Sequence, residues 1–357
     1  MEKWREWLLV AMVVGGMVLA LARPSDGGSG AAAPASPSRP VARRSPSSSA
    51  AENALAKAIT ASNGAGKGKV VVLTGDVLLT KALPLIPFEG NLVLRGSCGR
   101  RKCVVDGAGK FAIFMTYTPG CWITLENLEF RNARDGAVSG KCSVIIKDCV
   151  FRGNRGAPVV ALGIGDPTFN VSSTVFVDNN SNSTCGALCS SSRGGGRLSN
   201  CSFIRNSAMG DGGAVYLWGV GSKPLLIEDC TFDGNTAGAS GGALYIEPNG
   251  IETYADVYVF DTQFKGNRAK TIGGAVTLLS DIKGHFCGGG MSGNAAGSGK
   301  GNDLALIQAG SLPVFVNFCP RPPKLSVHGV PSMNEVAVVD NCRLCGVSET
   351  QCSFPFK

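Results

Sequence analysis

Short apolar stretches separated by glycine-rich and polar turns follow one another along most of the chain. The first of them occupy residues 71–80, 91–96, 103–107, 111–115 and 121–130. Runs of this length that are rich in valine, leucine and isoleucine predict β-strands. No helix-length apolar pattern follows them, so we predict an all-β fold.

Apolar residues at helical spacing occur only in the segment before these strands. In residues 52–62, Leu55, Ala58 and Ile59 recur on one side of a helix, and glycines follow as a stop. This pattern predicts a short helical cap at the N-terminal end of the strands. Residues 23–51 are rich in Pro, Ser and Ala without apolar periodicity, which predicts a disordered linker.

An internal repeat occupies the middle of the chain. A Phe or Met is followed three residues later by Asn, and these apolar positions, beginning with a degenerate member at Phe130, are 21 to 32 residues apart. The apolar positions are Phe151, Phe176, Phe203, Phe232, Phe264 and Met291, and the polar ones are Asn154, Asn179, Asn206, Asn235, Asn267 and Asn294. Units this short, with a constant core and variable joins, are typical of the coils of a solenoid.

Stacking these units as a parallel β-helix would pair each strand with its equivalent one coil away, at about 4.8 Å. Equivalent residues then form columns. We expect the Phe column to be an internal aromatic stack. We expect the Asn column to lie at a tight turn with left-handed φ, its amides bonded along the stack. Gly-Gly pairs would form the next corner, which accounts for 49 glycines in 357 residues.

Cysteines that share a column are predicted to be neighbours. Cys121 and Cys142 each precede their Phe by nine residues, and Cys201 and Cys230 each precede theirs by two. The coil spacing is within disulfide reach, although parallel Cβ vectors also allow a buried ladder of free cysteines. We favour a Cys121–Cys142 bridge and leave the ladder as the alternative.

Two further groups of cysteines lie outside the repeat. Cys98 and Cys103 are predicted to close a local loop. Residues 309–357 combine proline with cysteine and predict a disulfide-stapled C-terminal cap on a β-helix that spans 52–308. The cysteines of this cap are Cys319, Cys342, Cys345 and Cys352.

The repeat resembles a known one. An Ile/Val strand, [DN]-C-[TS]-F-x-x-N, a short insert and G-G-A-[VL]-Y, as at 212–216 and 241–245, resembles the repeats of polymorphic outer membrane proteins. The resemblance implies a right-handed parallel β-helix of the pectin-lyase-like group and an adhesion role. It covers residues 100–307 and does not extend to the anchoring domain of that family, so outer-membrane anchoring is not implied.

The first 22 residues predict a secretory signal peptide. An apolar run over 7–22 follows Lys3 and Arg5 and ends in Ala-Leu-Ala. Cleavage would leave no membrane span, and an uncleaved signal anchor that tethers the protein to a membrane is the alternative. We therefore expect a secreted or cell-surface protein, in which 14 cysteines predict disulfides.

Four Asn-x-Ser/Thr sequons cluster within the repeat. They begin at Asn170, Asn179, Asn182 and Asn200. In a eukaryotic secretory pathway this segment would carry glycans. The net charge of +8 forms no basic stripe, which argues against nucleic acid and leaves an extracellular polysaccharide or cell-surface glycan as the expected partner.

Candidate chemistry is sparse. The segments typical of polygalacturonase sites and of calcium-dependent lyases do not occur, so we expect neither a metal nor another cofactor. The two histidines, His285 and His328, stand alone. The best catalytic candidates are Asp229 and Asp261, each three residues before its Phe in adjacent coils. Stacking would place them near the carboxyl separation of about 5–5.5 Å used by retaining glycosidases.

The same column argues for a structural role. Besides Asp229 and Asp261 it contains Asp148, Ser173 and Asn200, which is typical of a polar turn position. The sequence therefore favours a non-catalytic binding or structural protein of the cell surface or wall. The alternative is a polysaccharide lyase or glycoside hydrolase with an unusual site.

Overall fold

A computed structural model describes most of the chain from residue 46 onward. The described residues are 46–62, 69–87, 89–116, 119–162, 168–191, 193, 195–221, 223–249, 254–308, 312, 314–320, 324–329 and 337–340. The predicted signal peptide, most of the predicted linker, and Cys342, Cys345 and Cys352 lie outside them. Within the described ranges, no helix is long and apolar enough to cross a membrane.

The described chain winds into a parallel β-solenoid. Each complete coil contributes strands to four parallel sheets, named faces 1 to 4 in the order in which the chain visits them. Strands are numbered along the chain.

Face 1 contains β1 Lys69–Leu73, β3 Asn91–Gly96, β6 Trp122–Glu126, β9 Ser143–Lys147, β13 Phe169–Ser172, β17 Gly196–Ser199, β21 Leu225–Glu228, β25 Ala255–Phe260, β29 Ile282–Cys287, β33 Phe315–Cys319 and β35 Ala337–Asp340. Face 2 contains β2 Val77–Leu78, β4 Cys103–Asp106, β7 Leu128–Arg131, β10 Val150–Arg152, β14 Val175–Val177, β18 Ser202–Ile204, β22 Thr231–Asp233, β26 Gln263–Lys265 and β30 Gly290–Ser292.

Face 3 contains β11 Arg155–Gly156, β15 Asn180–Ser181, β19 Ser207–Ala208, β23 Thr236–Ala237, β27 Arg268–Ala269 and β31 Ala295–Ala296. Face 4 contains β5 Phe114–Met115, β8 Val138–Gly140, β12 Val160–Leu162, β16 Leu188–Ser191, β20 Val215–Val220, β24 Leu244–Pro248, β28 Val276–Leu279, β32 Leu304–Ile307 and β34 Val327–Gly329.

The helix that caps the first coil, α1, spans Pro46–Thr60. It begins six residues before the predicted start, because Pro46 suits the first helical position and Ser and Ala continue the helix without an apolar face. Leu55 and Ile59 are fully buried. The Glu52 carboxylate accepts hydrogen bonds from the Thr80 backbone N–H at 2.7 Å and the Thr80 hydroxyl at 2.9 Å.

The core contains the expected aromatic stack. From Phe130 to Phe264, six rings lie in successive coils with centroids 4.8–5.0 Å apart. Their planes differ by no more than 17°. The strand register places each ring directly against the next, and the side chains are almost fully buried.

The Asn column forms a continuous amide ladder. Asn206 is representative: its Nδ2 donates to the Asn235 Oδ1 at 3.1 Å and to the Phe176 carbonyl at 3.0 Å. Its Oδ1 accepts from the Asn179 Nδ2 at 2.8 Å and from the Asn179 backbone N–H at 3.3 Å. Each amide thus satisfies both its donor and acceptor groups inside the core, where an unpaired polar group would be costly.

The left-handed φ is not at Asn, where we predicted it, but one residue earlier. The residues with positive φ at this corner are Gly153, Asp178, Arg205, Gly234, Gly266 and Gly293. The preceding residue makes the turn, and the Asn side chain can therefore point into the core. The next corner uses glycine as expected: Gly212 and Gly241 both have a φ of 66°.

Cross-links connect neighbouring positions. Disulfides join Cys98 to Cys103 and Cys121 to Cys142, and a third, which we did not predict, joins Cys185 to Cys189. Cys287 and Cys319, neighbours in register on face 1, are also disulfide-bonded. The free and buried cysteines of the described part are Cys149, Cys201 and Cys230.

The solenoid continues beyond the predicted boundary at residue 308. Strands β33 and β35 extend face 1, and β34 extends face 4. Thus the first part of the predicted C-terminal cap contributes strands to the same sheets.

Candidate functional site

Asp229 and Asp261 lie at the corner between faces 1 and 2. Both are exposed, with φ of 51° and 43°. Partial desolvation by its neighbours, and then the charge of Asp229, raise the pKa of Asp261. The equivalent residues of other coils also have left-handed φ, and they are Asp148, Ser173 and Asn200. Asp and Asn tolerate this conformation, so the turn accounts for the acidic residues.

The residue after this turn makes the same side-chain hydrogen bond in five coils. The hydroxyls of Thr174 and Thr262 donate to the carbonyl two residues earlier, both at 2.8 Å. The thiols of Cys149, Cys201 and Cys230 do the same at 3.1–3.3 Å. Burial raises the pKa of Cys149 to about 12. The Cys149 thiol is therefore a neutral hydrogen-bond donor, and cysteine and threonine make the same contact at this position.

The four sequons differ in their surroundings. The Asn170 and Asn182 side chains are exposed, and the exposed Asn200 donates to the Ser173 hydroxyl at 3.2 Å. Asn179 is fully buried, and its Nδ2 donates within the amide ladder. A glycan on the Asn179 Nδ2 would require this amide to leave the ladder.

The histidines do not form a catalytic group with these carboxylates. His285 stacks on Tyr258 with ring centroids 4.7 Å apart, and its Nε2 lies 3.7 Å from the Asp256 Oδ1. Burial lowers the pKa of His285, which favours the neutral ring. His328 lies on face 4, paired in register with Ala305.

A patch that we did not predict lies on the outer surface of face 4. This face-4 patch consists of Asp211, Tyr216, Trp218, Tyr245 and Glu247. Strand alternation explains it, because the neighbours Val215 and Leu217 point into the core and leave Tyr216 and Trp218 on the outside. The register places Tyr245 beside Tyr216 in the next coil.

Close contacts hold the patch together. The Tyr216 ring lies 5.8 Å from Trp218 and 5.1 Å from Tyr245, the latter edge to face. The Tyr216 hydroxyl donates to the Glu247 Oε2 at 2.7 Å. The Cys185–Cys189 disulfide packs against the same tyrosine. Tyr216 is 8% exposed, while Trp218, Tyr245 and both carboxylates are half-buried.

The two carboxylates differ in their environment. Burial raises the pKa of Asp211, the charge of Glu247 raises it further, and the Ser240 N–H, which donates to the Asp211 Oδ1 at 2.8 Å, opposes both. Burial and then the charge of Glu247 also raise the pKa of Tyr216, so its hydroxyl remains a donor at neutral pH.

Comparison with known proteins identifies the family. The family described as a right-handed β-helix region matches residues 102–288, just over half of the chain. The chain belongs to the right-handed β-helix family. No curated protein sequence matches it. It is similar to the solved catalytic unit of a thermostable GH87 α-1,3-glucanase from Streptomyces thermodiastaticus strain HF3-3, with a TM-score of 0.33 and 12% identity. The match covers 81% of this chain and 64% of the glucanase unit, so this β-helix corresponds to less than two thirds of that length.

The repeat of this β-helix already shows the two tyrosines of the face-4 patch. Tyr216 and Tyr245 both follow Gly-Gly-Ala by two residues in consecutive units, so the repeat places them in one column. Asp211 and Glu247 have no such periodic signal.

The chemistry of the patch suits carbohydrate. Aromatic rings offer apolar surfaces for the C–H faces of sugars, and carboxylates accept hydrogen bonds from hydroxyl groups. Among the residues that the structure describes, no group of three or more His, Cys, Asp or Glu side chains is arranged to hold a metal ion.

Proposed function

We propose that this β-helix is an exported, non-catalytic scaffold that binds an extended polysaccharide or cell-surface glycan along face 4. The observation that supports this most directly is the grouping of three aromatic rings with two carboxylates on one outer sheet surface. A solenoid face is long and continuous, which suits a polymer. The resemblance of the repeat to polymorphic outer membrane proteins supports an adhesion role of this kind.

The patch is also organised before any ligand arrives. The hydrogen bond from Tyr216 to Glu247 and the packing of the disulfide fix the central ring. A rigid aromatic surface loses little conformational entropy on binding, so more of the contact energy contributes to affinity.

The test is retention of the full chain on a panel of immobilised polysaccharides that includes uronans and glucans. We expect Trp218→Ala to weaken binding about tenfold, which is equivalent to about 1.4 kcal/mol. Trp122→Ala, which removes an exposed tryptophan from face 1, is the matched control and should leave affinity unchanged. No retention on any polymer, or equal affinity of Trp218→Ala and the parent, would refute the proposal.

A second candidate function is polysaccharide cleavage at the same patch. The raised pKa of Asp211 favours its use as a general acid, and Glu247 lies close enough for its charge to affect Asp211. Release of reducing ends or unsaturated products that is lost in Asp211→Asn and Glu247→Gln would establish this function. Binding without any product would leave the scaffold as the function.

A further inference from the structure

We propose that a depression on the outer surface of face 1 is occupied by an N-linked glycan attached to Asn170, whose first sugar packs on the indole of Trp122. This inference rests on the proposed export of the chain but not on polysaccharide binding at face 4. It assigns an occupant to a surface that the proposed function does not use.

The depression has a volume of about 350 Å³. Trp122, Ile145, Thr168, Asn170 and Arg197 contribute to its lining. In the parallel register, Ile145, Asn170 and Arg197 are neighbours in three successive coils on the outward side of face 1. The volume lies within the range of about 300–1,000 Å³ that is usual for small-ligand sites, so one or two sugar rings would fit.

The apolar side of the depression is uncovered. Trp122 is 43% exposed and Ile145 is 37% exposed, and both belong to the small set of large exposed apolar side chains. The apolar face of a pyranose ring is suited to an indole. At the other end, the Arg197 guanidinium forms an ion pair with Glu228 and presents polar groups to sugar hydroxyls.

Asn170 differs from the other sequon asparagines because it combines exposure and an unbonded side chain with a position on face 1. Its side chain is exposed, and within the described part of the chain it has no hydrogen-bond partner. Asn179 is committed to the ladder, and Asn200 is bonded to Ser173. Asn182 is also exposed, but it follows β15 at a corner after face 3 and not on face 1. Asn170 is therefore the sequon residue whose glycan would start inside the depression.

The modification is an ordinary group transfer. The Asn170 Nδ2 forms a bond to the anomeric carbon of a lipid-diphosphate-linked oligosaccharide, and the bond from that carbon to the diphosphate oxygen breaks. The amide loses one proton, and the lipid diphosphate leaves with the electron pair. No oxidant or reductant is needed.

The experiment uses the full chain secreted from a eukaryotic host. Peptide mass spectrometry measures glycan occupancy at Asn170, and hydroxyl-radical footprinting measures the oxidation rate of Trp122. Ser172→Ala removes the sequon and keeps Asn170. We expect occupancy at Asn170, and an oxidation rate of Trp122 that is about twofold or more higher in Ser172→Ala, because the sugar no longer covers the ring.

Two controls make the result specific. Asn182→Gln removes the other exposed, unbonded sequon asparagine and should leave Trp122 oxidation unchanged, and Trp218 on face 4 should be oxidised equally in all variants. An unmodified Asn170, or a Trp122 rate that is the same in Ser172→Ala and the glycosylated parent, would overturn the proposal. Neither result depends on whether face 4 binds a polysaccharide.

Discussion

Side chains that recur once per coil organise the core of this β-helix. An asparagine side chain has two N–H donors and a carbonyl oxygen with two acceptor positions, and Asn206 and Asn235 use all of them inside the core. At the corner between faces 1 and 2, threonine hydroxyls and cysteine thiols donate a single hydrogen bond to a backbone carbonyl. The ladder is visible in the sequence because Asn recurs once per coil at a constant distance from the repeated Phe or Met.

Removal of one ladder member should be costly. Asn235→Ala removes the oxygen that accepts from both the Asn206 Nδ2 and the Asn206 backbone N–H. It also removes one donor each from the Phe203 carbonyl and the Asn267 Oδ1. We expect the free energy of unfolding to fall by at least about 2 kcal/mol in urea denaturation. Asn182→Ala changes an exposed asparagine and should remain within about 0.5 kcal/mol of the parent. Equal loss in both variants would argue against the ladder.

The pKa of Asp211 predicts a pH dependence of stability. Because burial raises it above 3.8, the folded protein binds this proton more tightly than the unfolded chain does. The resulting stabilisation is complete below the unfolded value and is lost as pH rises through the folded one. An asparagine at position 211 would keep an oxygen that accepts from the Ser240 N–H but would carry no charge.

We therefore expect Asp211→Asn to have a higher melting temperature than the parent at pH 7. The difference should shrink as pH falls through the raised pKa of Asp211, and it should be gone below about 4, where the parent carboxyl is protonated in both states. Thermal unfolding followed by circular dichroism over this range is the measurement. A variant that is less stable than the parent at pH 7 would contradict the assignment.

At the scale of elements, the corners determine how closely coils approach. A Cβ on Gly242 would lie 2.0 Å from the Gly274 carbonyl oxygen, and one on Gly213 would lie 2.1 Å from that of Gly242. The repeat predicted this corner because the Gly-Gly pair is periodic. The start of α1 was not predictable in the same way, because its first residues have no apolar periodicity. The contacts that Asp211 and Glu247 make on face 4 were not predictable either, because these two residues share no spacing with the repeat.

Gly242→Ala tests the corner directly. Because the obstructing atom belongs to the backbone of the next coil, the coils must separate, and we expect a loss of about 1–3 kcal/mol in the free energy of unfolding. Gly75→Ala is the matched control, since a Cβ there meets nothing within 4 Å. Urea denaturation compares the two, and an equal effect of both substitutions would disprove the close approach.

For the whole molecule, stability depends on how the stack ends. The first coil presents apolar residues and strand edges that α1 covers with Leu55 and Ile59. Repeat proteins need such end caps to remain soluble, because each coil contacts mainly its neighbours.

Disruption of α1 should therefore cause association. We expect Leu55→Asp to detach the helix and to produce dimers or larger species in size-exclusion chromatography with light scattering. Lys57→Glu alters an exposed residue of the same helix and should elute like the parent. A variant Leu55→Asp that elutes at the parent position would show that α1 is dispensable as a cap.

The amide ladder also gives the solenoid a dipole along its axis. Every Nδ2 from Asn154 to Asn267 donates to the Oδ1 of the following coil, and the last, on Asn294, donates to the Asp303 Oδ1 at 2.9 Å. The side-chain dipoles therefore add along the solenoid axis, with their positive ends toward a carboxyl oxygen. A further coil of the same pattern, inserted anywhere, would lengthen this dipole array without reversing it, so the solenoid can grow while its two ends keep their opposite polarity.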